Sequence, residues 1–210
     1  METEDLKRLF TENLASCPVL AILRGVTPGE VREICTILAE TGIRLLEIPL
    51  NTPDALKSIA LARTCAAPGQ LVGAGTVLTA ASVRAVERAG GQFIVSPNTD
   101  SAVITETKGQ GLLSIPGCFT VTECLTAQNA GADFLKFFPA GSVGASCIRD
   151  IKAVVKLPFL AVGGVNADNM ADFMKVCVGV GVGGALYKAG KTLTEVRRDA
   201  AHLAAAAVRR

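Results

Sequence analysis

Eight short apolar runs recur along this chain at a nearly constant interval, and each is followed by a segment with helical spacing. The runs cover residues 18–24, 44–50, 71–77, 93–98, 112–118, 134–139, 158–164 and 179–184. Helical patterns occupy 28–41, 53–66, 79–90, 100–109, 120–130, 144–156 and 166–177; one more at 3–15 precedes the first run, and another at 192–208 follows the last. Short, continuously apolar strands suit a parallel sheet covered on both faces. Eight strand–helix units joined by right-handed crossovers predict an α/β fold, a single (β/α)8 TIM barrel with an extra N-terminal helix. An open doubly wound sheet is the competing architecture, but no G-x-G-x-x-G follows the first run.

Local punctuation agrees with this division. Thr27-Pro28, Thr52-Pro53, Thr79, Asp100 and Asn166 stand where helices should begin. Gly42, Gly90, Gly91 and Gly131 stand where they should end. At 210 residues the chain is short for a barrel, which usually takes about 250. One domain spanning residues 1–210 with lean loops is therefore expected.

Composition excludes several classes of function. Half the residues are hydrophobic and 19% are charged, which describes a packed protein. The net charge of +2 arises from interspersed signs, so neither nucleic acid nor a membrane surface is an expected partner. One tyrosine and no tryptophan leave little for base stacking. Seven cysteines show no C-x-x-C pair or zinc spacing, which favours a reducing compartment. The start, Met1-Glu2-Thr3-Glu4-Asp5, lacks the basic residues of a signal peptide, and no apolar run approaches the ~20 residues of a membrane span. A cytoplasmic protein is expected.

In a barrel the chemistry collects at the carboxyl ends of the strands. Arg24, Thr76, Pro97, Gly163-Gly164 and Gly183-Gly184 fall at the ends of their runs, and the second and sixth runs hold Glu47 and Lys136. Strand alternation sharpens the pattern. With Lys136 inward, Phe134 and Phe138 share its face; with Glu47 inward, so are Leu45 and Pro49; Leu20, Ile22 and Arg24 form a third set. Three charged groups thus converge in one apolar cylinder.

Lys136 lies within Phe134-Leu135-Lys136-Phe137-Phe138-Pro139. Burial lowers a lysine pKa, and a neutral amine is the nucleophile that forms a Schiff base with a ketone. Glu47 could then move protons during dehydration and carbon–carbon cleavage. Arg24 offers a planar fork for a carboxylate. Aldol cleavage of a 2-keto acid uses all three, whereas a buried ion triad that only satisfies itself is the plain structural alternative. The glycine pairs after the last two strands stand where barrels often bind phosphate, although tight packing also selects glycine.

Other candidates carry less. His202 is expected on the surface of the last helix, Cys118 in packing, and Glu123 and Asp133 in solvent. Carboxylates, histidine and cysteine do not cluster as a transition-metal set, so neither metal nor cofactor is expected.

The stretches LEIPLNT around Glu47, VGAGTVL around Thr76, IVSPN around Pro97, IPGCFTVTE from Ile115, LKFFPA around Lys136 and AVGGVN around Gly164 resemble the 2-dehydro-3-deoxy-phosphogluconate / 4-hydroxy-2-oxoglutarate aldolase family. The resemblance runs from Pro18 to Leu186. AILRGVTP at Arg24 and EIPLN at Glu47 are similar to its phosphogalactonate branch. The resemblance implies a homotrimeric, metal-free class I aldolase that cleaves a phosphorylated 2-keto sugar acid to pyruvate and D-glyceraldehyde 3-phosphate. It implies Lys136 as the imine-forming lysine and Glu47 as the proton-transferring carboxylate. Thr76, Pro97, Phe138, Gly163 and Gly164 match pocket walls, and Arg24 matches a substrate-binding arginine. Two departures stand out. The gluconate branch has an arginine where Asn51 lies, so Arg24 must supply the cation from another strand. A serine is frequent where Gly184 lies, and its loss removes one donor toward phosphate. A lysine aldolase for phosphogluconate, 4-hydroxy-2-oxoglutarate or another short 2-keto acid remains an alternative, as do a non-covalent phosphate-binding isomerase or transferase and a sugar-phosphate sensor.

Overall fold

The structure is a computed structural model, and it describes residues 2–208. Its strands are β1 (Val19–Ile22), β2 (Leu45–Pro49), β3 (Leu71–Gly75), β4 (Phe93–Val95), β5 (Leu113–Ile115), β6 (Gly117–Cys118), β7 (Leu135–Phe137), β8 (Phe159–Val162) and β9 (Gly179–Val182). All pair in parallel, in the order β5-β4-β3-β2-β1-β9-β8-β7-β6. The two ends of this order, β5 and β6, belong to one predicted run, 112–118, interrupted at Pro116. Proline has no amide to donate, yet its carbonyl accepts from the Lys136 amide at 2.9 Å. The Ser114 and Cys118 carbonyls accept likewise from Phe134 and Phe138 at 3.3 Å. The run therefore faces β4 with its first half and β7 with its second, and the eight predicted strands close into a barrel.

Helices α1 (Thr3–Ser16), α2 (Val31–Glu40), α3 (Ala55–Cys65), α4 (Ala80–Arg88), α5 (Ser101–Gly109), α6 (Val121–Asn129), α7 (Ala145–Ile151), α8 (Met170–Met174) and α9 (Leu193–Val208) follow the predicted order. Their caps are the ones the sequence points to in α4, where the Thr79 hydroxyl accepts from the Ser82 amide, and in α5, where Asp100 accepts from Ala102 and Val103. Two helices are shorter than their patterns. Past α7 the bonds tighten to Ala153–Asp150 and Val154–Ile151 turns. Ahead of α8 the Asn166 side chain accepts the amides of Asp168 and Asn169, forming a turn where the pattern suggested helix.

Side chains sort into two apolar layers as strand alternation requires. Val19, Ala21, Leu46, Ile48, Leu135 and Phe137 face the helices. Leu20, Ile22, Leu45, Leu71, Phe93, Val95, Leu113, Ile115, Phe134, Leu160 and Val162 fill the barrel interior. The extra helix α1 closes the amino-terminal end of this interior. Its Leu6, Phe10 and Leu14 repeat every fourth residue, so one stripe enters the barrel. The Phe10 ring meets Phe93 edge-on at 5.4 Å and Phe134 at 4.8 Å.

One minor expectation fails here. Asp133 is buried, not solvated: it accepts the Ser114 amide at 2.9 Å and Lys108 Nζ at 2.7 Å, with Lys7 Nζ at 3.5 Å. A buried carboxylate needs such partners, and these are distant in sequence. Glu123 also has a defined task, completing a capping box with Thr120 at the start of α6.

Because α1 supplies the barrel floor, Phe10→Ala should lower unfolding free energy by about 3–5 kcal/mol, the usual cost of emptying an aromatic site. Denaturant titration of the two proteins measures it. A loss below about 1 kcal/mol would mean that the interior is not sealed by this helix.

Candidate active site

At the carboxyl end of the barrel a cavity of about 480 Å³ opens. Arg24, Glu47, Thr76, Pro97, Lys136, Phe138, Gly163, Gly164, Gly183 and Gly184 all line it. Seven different strands and the loops after them thus bring together every residue singled out from the sequence. The structure adds Ile22, Val162, Val165, Asn166, Gly181 and Ala185. Asn166 had a legible signal, two residues after Gly164; its reading as a helix start concealed its place on the wall. Ile22, Val162 and Gly181 read in sequence only as strand core.

Lys136 sits on β7 with 7% of its surface exposed, and Glu47 on β2 with 2%. Both point inward because they occupy the face that Phe134 and Leu45 share. Lys136 Nζ lies 4.9 Å from the centre of the Phe138 ring. Burial is the main reason its pKa is lowered; Glu47 opposes that shift and Arg24 adds to it. Burial also pushes Glu47 up to about 7, against the pull of Lys136 first and Arg24 second. Its Oε2 is buried without a hydrogen-bond partner among the described residues. A carboxyl group in this state can both take and give a proton near neutrality.

Backbone features define where the carboxyl group lies. A Cβ added at Gly75, the end of β3, would fall inside the Glu47 carboxyl group. Only glycine leaves that space, so β3 sets the seat of Glu47. The next residue, Thr76, has φ of +55°. A β-branched residue in the left-handed region costs of order 1–3 kcal/mol, a strain that clusters at functional sites. Here it places Thr76 on the cavity wall.

Arg24 differs from the expected buried triad. It is exposed at the rim, where it lines the cavity without joining the other two in the interior. β1 ends at Ile22, so Arg24 has already left the barrel wall. Its Nη1 donates to Asn51 Oδ1 at 2.6 Å. The guanidinium remains near enough to influence both buried groups.

The glycine loops also need refinement. Gly163 and Gly164 have φ of +92° and +72°, and a Cβ on Gly163 would meet the Phe138 ring at 2.9 Å. After β9 no long helix begins at Gly183. Its carbonyl accepts from Leu186 and Tyr187 in a single turn, and α9 starts only at Leu193. A Cβ added at Gly184 would meet nothing within 4 Å. His202 is exposed on α9, and Cys118 is buried against Cys124 in the helix-facing layer, both as expected.

An inward lysine and carboxylate at the top of a closed β/α barrel define a class of enzyme, and comparison with known proteins supplies the family. The chain belongs to the KDPG and KHG aldolase family, whose pattern matches residues 10–202, and is accordingly an aldolase, a carbon–carbon lyase. It is 46% identical over 186 residues to a probable 2-dehydro-3-deoxy-6-phosphogalactonate aldolase of Rhizobium meliloti, covering 87% of this chain and 88% of that protein. The 2-dehydro-3-deoxy-6-phosphogalactonate aldolase of Escherichia coli K12 is 41% identical over 187 residues, covering 88% and 91%. A solved structure described as native KDPGal superposes with a TM-score of 0.87 at 40% identity, covering 90% of this chain and 93% of that one.

The raised Glu47 pKa has a stability consequence. The unfolded carboxyl titrates near 4.5 and the folded one near 7. Between these values the folded chain keeps a proton that the unfolded chain has lost, so stability falls as pH rises through the window. Glu47→Gln removes that dependence. Its stability margin over wild type should grow by roughly 2–3 kcal/mol between about pH 5 and pH 8. Denaturation curves at several pH values test this, and parallel pH profiles would deny the shift.

Proposed function

We propose that this protein cleaves 2-dehydro-3-deoxy-6-phosphogalactonate to pyruvate and D-glyceraldehyde 3-phosphate through a Schiff base on Lys136. The observation that carries the reading is the pairing of a desolvated lysine with a buried carboxyl group inside one 480 Å³ cavity. In this scheme the neutral Nζ adds to the C2 ketone, giving a carbinolamine that loses water to form a protonated imine. The imine accepts the electron pair of the C3–C4 bond as it breaks, while Glu47 takes the C4 hydroxyl proton and the aldehyde departs. The resulting enamine regains a proton at C3, and water releases pyruvate and the free amine.

Arg24 meets the substrate carboxylate, and Thr76, Pro97 and Phe138 wall the pyruvyl portion. Gly163, Gly164, Gly183 and Gly184 bring backbone donors to the phosphate end, where no side chain obstructs Gly184. Neither metal nor cofactor enters this scheme. The two close relatives named as phosphogalactonate aldolases support the choice of substrate.

Borohydride reduction in the presence of pyruvate should trap a stable adduct, and peptide mapping should place it on Lys136. Absence of an adduct, or one on another lysine, would overturn the mechanism. In the same preparation the phosphorylated substrate should be cleaved with a specificity constant roughly 100-fold above its dephosphorylated form, as two charged hydrogen bonds imply. Equal constants would remove the phosphate site and favour a shorter 2-keto acid.

The proposal extends to one barrel domain, acting as a cytoplasmic homotrimer. Phe119, Phe138 and Val143 are exposed after the neighbouring strands β6 and β7, and Val121 at the start of α6, an apolar face suited to a second copy. The seven cysteines are free, which suits a reducing compartment. Sedimentation should give three times the 21.7 kDa chain mass; sedimentation at the single-chain mass would exclude the trimer.

A further inference from the structure

Arg24 stands exposed at the rim, and a free arginine there would sample many rotamers before meeting a substrate. Its guanidinium is instead held by one short bond, Nη1 to Asn51 Oδ1 at 2.6 Å. Asn51 itself does not line the cavity. It occupies a turn at the end of β2, closed by the Thr52 amide on the Pro49 carbonyl at 2.9 Å and anchored to β3 by Leu50–Gly75 at 2.8 Å. The backbone beneath Arg24 is tied to the same turn. The Leu23 amide donates to the Glu47 carbonyl, and the Gly25 amide to the buried Thr52 hydroxyl, both at 2.9 Å. Donor and acceptor of the Arg24–Asn51 bond therefore ride on two loops fastened to each other.

The chemistry of the holder matters as much as its place. An asparagine oxygen takes one of the five guanidinium N–H groups without neutralising the charge. An aspartate of the same shape would form an ion pair and compete with a substrate carboxylate. An arginine at this position would repel Arg24. We infer that Asn51 is a positioning residue, holding the Arg24 guanidinium over the cavity with a neutral amide so that its whole charge is available to the carboxylate of the 2-keto acid.

This inference rests on the proposed role of Arg24, and its test separates the two. Steady-state cleavage is measured for wild type, Asn51→Ala and Asn51→Asp, alongside borohydride trapping with pyruvate. Asn51→Ala should raise KM roughly fivefold to tenfold and change kcat by less than about threefold, the mark of lost binding without lost chemistry. Asn51→Asp, though isosteric, should raise KM further than alanine does. A purely structural role predicts the reverse order, because aspartate preserves the shape. Wild type that cleaves while Asn51→Ala keeps its KM, or Asn51→Asp that matches wild type, overturns the inference alone. Wild type that neither cleaves nor traps pyruvate overturns the proposed function and this inference with it.

Discussion

The structure turns on the removal of water from two ionisable side chains, Lys136 and Glu47, inside an apolar barrel. Each would be charged at neutral pH in solvent. Buried, the lysine is driven toward its free amine and the carboxyl group toward its acid, with pKa values brought closer together than in water. A full ion pair would quench both groups, and complete separation would leave two costly charges. The arrangement lies between these extremes: each group tempers the other's shift, and one carboxyl oxygen is left without a partner.

That state requires a sealed cylinder. The floor is α1, whose Leu6, Phe10 and Leu14 enter from the amino-terminal end. The wall is continuous because the fifth predicted strand divides at Pro116 and pairs with a different neighbour on each side of the break. Within the wall, Gly75 leaves the space that the Glu47 carboxyl group fills. A strained Thr76 follows at once, so β3 contributes both a seat and a wall residue. Activity and stability oppose each other here, since the desolvation that tunes Glu47 also weakens the fold as pH rises.

Arg24 obeys a different rule. Kept at the rim, a permanently charged guanidinium avoids the desolvation that a buried site would impose. It still biases the buried pair, helping to keep Lys136 toward its neutral form while opposing the rise at Glu47. The proposed phosphate end of the cavity is lined by backbone at Gly163, Gly164, Gly183 and Gly184. The cavity thus has a buried interior that holds Lys136 and Glu47 and a solvent-facing mouth that carries Arg24.

Much of this was legible in the chain itself. The eight apolar runs, their helical spacers and the alternation around Lys136 and Glu47 determined the barrel and the inward face of each strand, because period-two and period-3.6 patterns are local properties of the backbone. The rule that barrel chemistry collects at the carboxyl ends of the strands pointed to one end for all ten candidate residues. Contacts between residues remote in sequence could not be read that way. The buried anchoring of Asp133, the split of one strand at Pro116, the notch at Gly75 and the grip of Asn51 on Arg24 each depend on loops meeting after the barrel has closed. The sequence by itself determined the ten candidates that face the cavity; only the tertiary structure decided which others join them, how deep each sits and what it touches, because burial and partners are set by closure of the whole sheet.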